Sequence, residues 1–394
     1  MDNAKLAVKI LFVVTGFPDN KNLARSVFNY RAAQYLGTHH QLDVIRLKLW
    51  RPFQPLCKKV KVNDVEVNEV ATFAYSFFSF SPWIINFLLK LSLLGSAKRL
   101  QGDIVHAVGG GLAAQFSALL SKRSRIPYII QYIGSDLNFY LKSYASNKTI
   151  RKIIRGAGFH CFNSKALQKL FEELFPNYTN FKQVIYRGVD TREFNGRHRD
   201  MSEIKFLFLG GFVTDDNGNF PNNLKGGITL LKAWRELMNK NEYSCSLTIA
   251  GPGTMSFRYD EFLGNKEKIN LRILGTLNRK EVAEEMSRSH CVVIPSISEG
   301  LPNVAFEAMA SGNVIIGSDV GGIPEVIEHK INGILIVPND TRSLVEALSF
   351  VCTNHSFIRD AGLRNTKKAQ VLSIDSFVSS YTSVYNTVIT TYTR

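Results

Sequence analysis

Short apolar runs that end in glycine turns, each followed by a stretch with helical spacing, constrain this chain more than any other feature. The pattern occurs twice. In the first half "VKILFVVTGF" leads into "ARSVFNYRAAQYL", where Val27, Ala32 and Leu36 have roughly helical spacing, and "HQLDVIRLKL" reads as the next strand. "DIVHAV", "GGGLAAQFSALLSK" and "IPYIIQYIG" then repeat strand, glycine loop, helix and strand. Such an order predicts βαβ units of a parallel sheet, because parallel neighbours need a crossover that is usually a helix.

The alternation is interrupted once, where "QVIYRGVDTREF" gives way to the polar "NGRHRDMSE" and then to a fresh apolar strand, "IKFLFLGGF". A chain of 394 residues also exceeds what one hydrophobic core normally organises. Two doubly wound α/β domains are expected, residues 1–198 and 199–375, with ligands bound at the carboxyl ends of their strands. In the closing segment, 376–394, Phe377, Tyr381, Val384 and Val388 recur at steps of three or four. That segment reads as a helix whose aromatic stripe suits packing across onto the first domain as well as on the second.

The composition, 45% hydrophobic and 21% charged, is that of an ordinary globular protein. Five cysteines stand singly, without CxxC pairs or metal-ligand spacing, which fits a reducing cytoplasm. The opening "MDNAKLAVKILFVVTGFPD" reads as a buried first strand rather than a signal peptide, and no run of about 18 apolar residues predicts a membrane span. Charge is distributed unevenly: residues 1–200 carry 29 Lys and Arg against 13 Asp and Glu, a net of +16, while the remainder carries 19 against 20. A basic surface attracts phosphates, and the absence of an aromatic-basic nucleic-acid module favours a membrane surface or phospholipid over nucleic acid.

The chemistry centres on "SEGLPNVAFEAMASG", in which Glu299 and Glu307 lie on either side of a helix start. Pro302 suits a first helical turn and Gly312 a helix stop, so the spacing predicts a helix over Pro302–Ser311. Its free amides and positive dipole end form an anion site suited to a diphosphate. A carboxylate beside that anion needs hydroxyl or amine partners, which sugar and ribose hydroxyls would supply.

The surrounding text, "PSISEGLPNVAFEAMASGNVIIGSDVGGIPEVIEHKINGILIVPND", resembles the signature of family-four retaining glycosyltransferases, and so do "VIYRGVDTREF", "LKGGITLLKAW" and "LTIAGPG". The resemblance covers essentially the C-terminal half and implies the GT-B fold, two facing Rossmann-like domains. It also implies transfer of a sugar from a nucleoside-diphosphate donor with retention of configuration. By the same resemblance Glu299 holds the donor sugar, Glu307 the ribose and Lys225 the diphosphate. Gly300, Leu301, Pro302, Asn303 and Val304 then lie along sugar and phosphates, and Gly275 to Leu277 read the base through backbone groups. No cofactor or metal is implied, and no Asp-x-Asp pair occurs.

Three departures stand out. Relatives usually have Gly-Arg where this chain has Gly210-Gly211, so one diphosphate contact is missing, with Asn222 or Asn223 as weak substitutes. Ile133 stands where many relatives have a histidine, in "IIQYIGSDLNFY". After the first strand relatives carry a Gly-Gly loop near the donor phosphates; here Gly16 alone remains as a donor contact, and the rest of the loop is assigned to the acceptor. Acceptor-side candidates are Arg25, His106 (expected at a strand end), Gly110 and Asp136, the last able either to bind an acceptor hydroxyl or to cap a helix.

The aromatic run Phe73–Leu100 with Lys90, Lys98 and Arg99 reads either as a layer on the sheet or as a basic amphipathic helix at a membrane interface. Together these readings predict an enzyme of cell-surface polysaccharide or glycolipid synthesis, acting on a glycan or polyprenyl-phosphate-linked acceptor, cytoplasmic and peripheral at the membrane. The alternatives are a non-catalytic sugar-nucleotide-binding subunit and a GT-B sugar-nucleotide epimerase.

Overall fold

The computed structural model describes residues 7–18, 27–50, 53–72, 82–96, 100–179, 181–196, 200–212, 223–263 and 270–392. They form two compact units, Met1–Tyr186 with Phe377–Arg394, and Arg187–Ser376. The division falls at Tyr186, ahead of the polar segment where the sequence suggests it. The reason is local: the Val189 N–H donates to the Leu372 carbonyl at 3.1 Å, and the Ile374 N–H donates back to Val189 at 3.3 Å. Gly188 lies so close that a Cβ there would be 2.6 Å from the Ile374 Cα. The "RGVD" stretch is thereby tied into the second unit.

The first unit's sheet comprises β1 (Lys9–Val14), β2 (Gln41–Leu49), β3 (Cys57–Val62), β4 (Val65–Thr72), β5 (Ile104–Val108), β6 (Tyr128–Tyr132), β7 (Phe159–Phe162) and β8 (Lys182–Val184). Their order is β3-β4-β2-β1-β5-β6-β7-β8, with only the β3–β4 hairpin antiparallel. Every residue of β5, β6 and β7 is buried, as strands covered on both faces must be. Strand order reverses between β1 and β5, so Gly16 and Gly109–Gly111 follow the two strands at the switch point.

In the second unit β9 (Ile204–Leu209), β10 (Cys245–Ala250), β11 (Leu271–Leu274), β12 (Cys291–Ile294), β13 (Val314–Ser318) and β14 (Gly333–Ile336) run parallel in the order β11-β10-β9-β12-β13-β14. This is the dinucleotide-fold order, and its reversal falls between β9 and β12. Phe206, Trp234, Leu247, Val293 and Ile316 belong to the core built around it. Among the described residues no helix is long and apolar enough to cross a membrane.

The last helix, Ile374–Tyr392, packs into the first unit for most of its length. Phe377, Tyr381, Val384, Tyr385 and Val388 are all buried, and Val388 fills the space that a Cβ at Gly158 would need. The helix also explains a correction. His106 lies in the middle of β5, wholly buried, rather than at a strand end. Its Nδ1 pairs with the Tyr385 hydroxyl at 2.8 Å and its Nε2 with Gln131 Oε1 at 3.2 Å, while Tyr381 stacks on the ring. His160 is likewise buried, between the hydroxyls of Tyr132 and Tyr178 at 2.9 and 3.0 Å. His106 thus supports the fold, and no acceptor role is assigned to it.

Burial pushes the imidazoles of His106 and His160 down from 6.5 to about 3. The folded protein keeps them neutral while the unfolded chain protonates them, so both favour folding above pH of about 6.5 and lose that contribution progressively between 6.5 and 3. Thermal melts should therefore fall in Tm as pH drops through that window. His106→Gln, though less stable at neutral pH, should show a shallower acid decline; an unchanged decline would show that this imidazole is not the titrating group.

Candidate functional site

The loop that follows β12 is the scaffold of the site. Pro302 is extended (φ −74°, ψ 137°), so the following helix runs over Asn303–Ala310, one residue shorter at each end than the sequence suggests. It stops at Gly312, whose φ of +68° lets the Gly312 N–H donate to the Met309 carbonyl at 3.0 Å and the Asn313 N–H to the Ala308 carbonyl at 2.9 Å. Asn313 then donates its side-chain amide to the carbonyls of Met286 and Ser289, which pins that end. At the other end Ala305 N–H reaches the Pro302 carbonyl at 3.1 Å, whereas Asn303 and Val304, in the first turn, have no carbonyl within the helix to bond.

Two neighbouring turns press their backbones onto this loop. Gly226 has φ of +73°, and a Cβ there would overlap the Pro295 carbonyl oxygen; the Ile297 N–H also donates to the Leu224 carbonyl at 2.8 Å. Gly321 has φ of +56°, and a Cβ there would overlap the Glu299 carbonyl oxygen; the Gly322 N–H donates to the Gly300 carbonyl. The first turn carries Lys225 against this same loop, and the Lys225 ammonium forms an ion pair with the Glu299 carboxylate. Lys225 is half exposed and Glu299 largely covered. Cation and carboxylate thus meet beside the helix start, at the carboxyl end of β12.

Leu301, Pro302 and Glu307 are buried, Gly300, Asn303 and Val304 half-buried. Gly275 follows β11, the edge strand, and its carbonyl accepts from the Gly251 N–H at 3.1 Å, while Leu277 is half-buried two residues on. The turns Gly210–Phe212 and Gly251–Gly253 touch through backbone: a Cβ at Gly251 would be 2.6 Å from the Gly210 carbonyl. Asn223 is engaged locally at a helix start. Its Oδ1 accepts the Ile228 N–H at 3.0 Å at the start of helix Gly227–Asn239, and Asn222 lies outside the described residues.

Sequence reasoning passed over Arg187. Its guanidinium donates to Asn303 Oδ1 at 3.4 Å, bringing a second cation to the start of the helix. The available signal was a basic residue directly before Gly188, the glycine of the tie described above.

In the first unit the candidates do not converge on one group of side chains. Arg25 lies outside the described residues, and the Gly16 carbonyl accepts the Asn29 side-chain amide at 2.6 Å. Asp136 is a buried tie: its carboxylate accepts the amides of Gly110, Gly134 and Ile133 at 2.7, 2.9 and 3.1 Å. Burial pushes its carboxyl up, against the opposing pull of those amides. Gly110 is glycine because Leu141 and Tyr132 occupy the space of a Cβ.

Because backbone oxygen, unlike a flexible side chain, cannot move aside, Gly226→Ala or Gly321→Ala should lower stability by about 1–3 kcal/mol. Either should also reduce the stabilisation that a bound nucleotide sugar confers. Denaturant titration with and without nucleotide sugar measures both, and wild-type values for the two variants would contradict the packing described.

The sequence model of "Glycosyl transferases group 1" matches residues 217–354. An uncharacterized glycosyltransferase of Methanocaldococcus jannaschii is 29% identical over 375 residues, 88% of this chain and 89% of the relative. The N-acetyl-alpha-D-glucosaminyl L-malate synthase of Bacillus anthracis is 25% identical over 335 residues, 83% and 85% of the two chains. The structure resembles that of Anabaena HepE in complex with UDP and glucose, with a TM-score of 0.70 at 16% identity, over 96% of this chain and all of the other. The chain thus resembles group 1 glycosyltransferases: that family's model matches its second unit, its sequence aligns with glycosyltransferases along most of its length, and it has the GT-B fold.

Proposed function

We propose that the protein moves a sugar from a nucleoside-diphosphate donor to a hydroxyl of a glycan or lipid-phosphate-linked acceptor, with retention of anomeric configuration. The observation that carries this reading is the Lys225–Glu299 pair beside the free amides of helix Asn303–Ala310. An ammonium and helix-start amides suit a diphosphate, while a carboxylate beside them suits sugar hydroxyls. Strand geometry supports an elongated ligand: from β12 to β11 is three strand spacings, roughly 14 Å at ~4.8 Å each. That span suits a donor with its sugar and diphosphate near Glu299 and Lys225, its ribose at Glu307 and its base by Gly275 and Leu277. The UDP and glucose held by Anabaena HepE support the same class of donor.

In the reaction the bond between the anomeric carbon and the phosphate oxygen breaks, and the acceptor oxygen bonds to the same face of that carbon. The acceptor proton passes to the departing phosphate oxygen, so no side-chain base is required. Negative charge grows on the nucleoside diphosphate as the sugar becomes oxocarbenium-like, and Lys225 with the amides of Asn303 and Val304 stabilises it. Arg187, whose side chain reaches Asn303, serves as the second cation in place of the arginine that relatives carry at Gly211. The excess basic charge of the first 200 residues supports an anionic acceptor held by the first unit, used in surface polysaccharide or glycolipid synthesis at the cytoplasmic membrane face.

A thermal-shift screen against UDP-, GDP- and ADP-sugars should find one donor that stabilises the protein by about 2.7 kcal/mol at a hundredfold excess over its Kd. With that donor and a lipid-phosphate acceptor mixture, Lys225→Ala and Glu299→Ala should each lower turnover by about 10²–10³-fold, and Arg187→Ala should lower it while Arg187→Lys retains part. A protein that binds donor and transfers to no acceptor, or variants that turn over like wild type, would sink this reading. In the first case the non-catalytic subunit would stand instead.

A further inference from the structure

We infer that one outer face of the first unit, built from helices Pro82–Ser96, Leu112–Ser124 and Lys148–Gly156, docks on an anionic bilayer. The three helices pack against one another and contribute buried residues to the same core, including Ile85, Leu89, Phe116, Leu120, Ile150 and Ile154. On the first of them Ile85, Leu89 and Leu93 face inward. Two residues out of step, and so about 200° around the helix, Trp83, Phe87 and Leu91 are 62%, 56% and 39% exposed. Steps of four place these three bulky apolar groups in a single outward ridge.

Charge selects the occupant. The stretches 82–96, 112–125 and 142–156 together contain nine Lys and Arg and no Asp or Glu, and all nine cations are exposed. Helix Lys148–Gly156 sorts them most sharply, with Ile150, Ile153 and Ile154 inward and Arg151, Lys152 and Arg155 outward. An apolar ridge beside an acid-free basic surface matches a bilayer, whose acyl boundary takes the ridge and whose anionic headgroups take the cations. A nucleic acid would use the cations and leave Leu91 without a partner. The inference rests on the acceptor reading above only for its purpose, since docking a lipid-linked acceptor needs the enzyme at the surface that holds it.

The test is co-sedimentation of the full chain with vesicles of phosphatidylcholine alone or with about a third phosphatidylglycerol. Binding to the anionic vesicles should exceed binding to the neutral ones by at least about tenfold and should weaken with salt. Serine at Trp83, Phe87 and Leu91 together should weaken it about tenfold or more, and so should Arg151→Glu with Lys152→Glu. Trp83 emission should shift to the blue on vesicles, a signal that Trp83→Phe removes while keeping the binding. The donor-induced thermal shift, which arises in the other unit, should survive in every variant and so shows that each is folded. A wild-type chain left in the supernatant, a serine variant that sediments like wild type, or a Trp83 emission that does not move would overturn the inference. Loss of the donor shift in wild type, with vesicle binding intact, would instead count against the proposed function alone.

Discussion

The site depends on backbone meeting backbone. Gly226 lies on the Pro295 carbonyl and Gly321 on the Glu299 carbonyl, both with positive φ, so two turns distant in sequence clamp the loop between β12 and its helix. The cation and carboxylate of the site are brought together at that contact. Lys225 precedes one of the glycines and Glu299 belongs to the clamped loop, so their ion pair is a consequence of the glycine packing. The helix that presents Asn303 and Val304 is fixed at its far end by Gly312 and Asn313. A rigid frame of this kind suits catalysis by charge, because donors already in place need no reorganisation as the leaving group departs.

The first unit is completed by the end of the chain. Tyr381 and Tyr385 of the last helix close over His106, and Thr382 pairs with His40 at 2.8 Å. These polar contacts sit within an apolar surround, where an unmatched partner is costly. At the start of that helix Ile374, with Leu372 just ahead of it, bonds Val189 in the second unit. The last segment of the chain therefore contributes structure to both units.

How much of this could be read beforehand varied with the range of the interaction. The alternation of apolar runs and helical spacing is local, and the parallel strands of both sheets follow it. Gly312 as a helix stop is equally local, and so is a buried closing helix with aromatic residues at steps of three or four. The place of His106 is not legible, because the six letters of "DIVHAV" do not mark where a strand ends and its surroundings are provided by tyrosines more than 270 residues away. The boundary at Tyr186 escaped for the same reason, being set by a bridge to Ser373. Arg187 became visible only when Asn303 was brought beside it. The charge asymmetry was plain in the sequence, but its concentration beside Trp83 and Phe87 required the packing of three helices.

The proposed donor pose gives the sugar to Glu299 and the ribose to Glu307, and separate titrations of the nucleoside diphosphate and of the corresponding nucleotide sugar test it most directly. Glu299→Ala should leave affinity for the free nucleoside diphosphate near wild type while weakening the nucleotide sugar. Glu307→Ala should weaken both by about the same factor, on the order of tenfold or more for one lost charge-assisted hydrogen bond. Equal losses of both ligands in the two variants, or loss of the free nucleoside diphosphate in Glu299→Ala alone, would contradict this assignment.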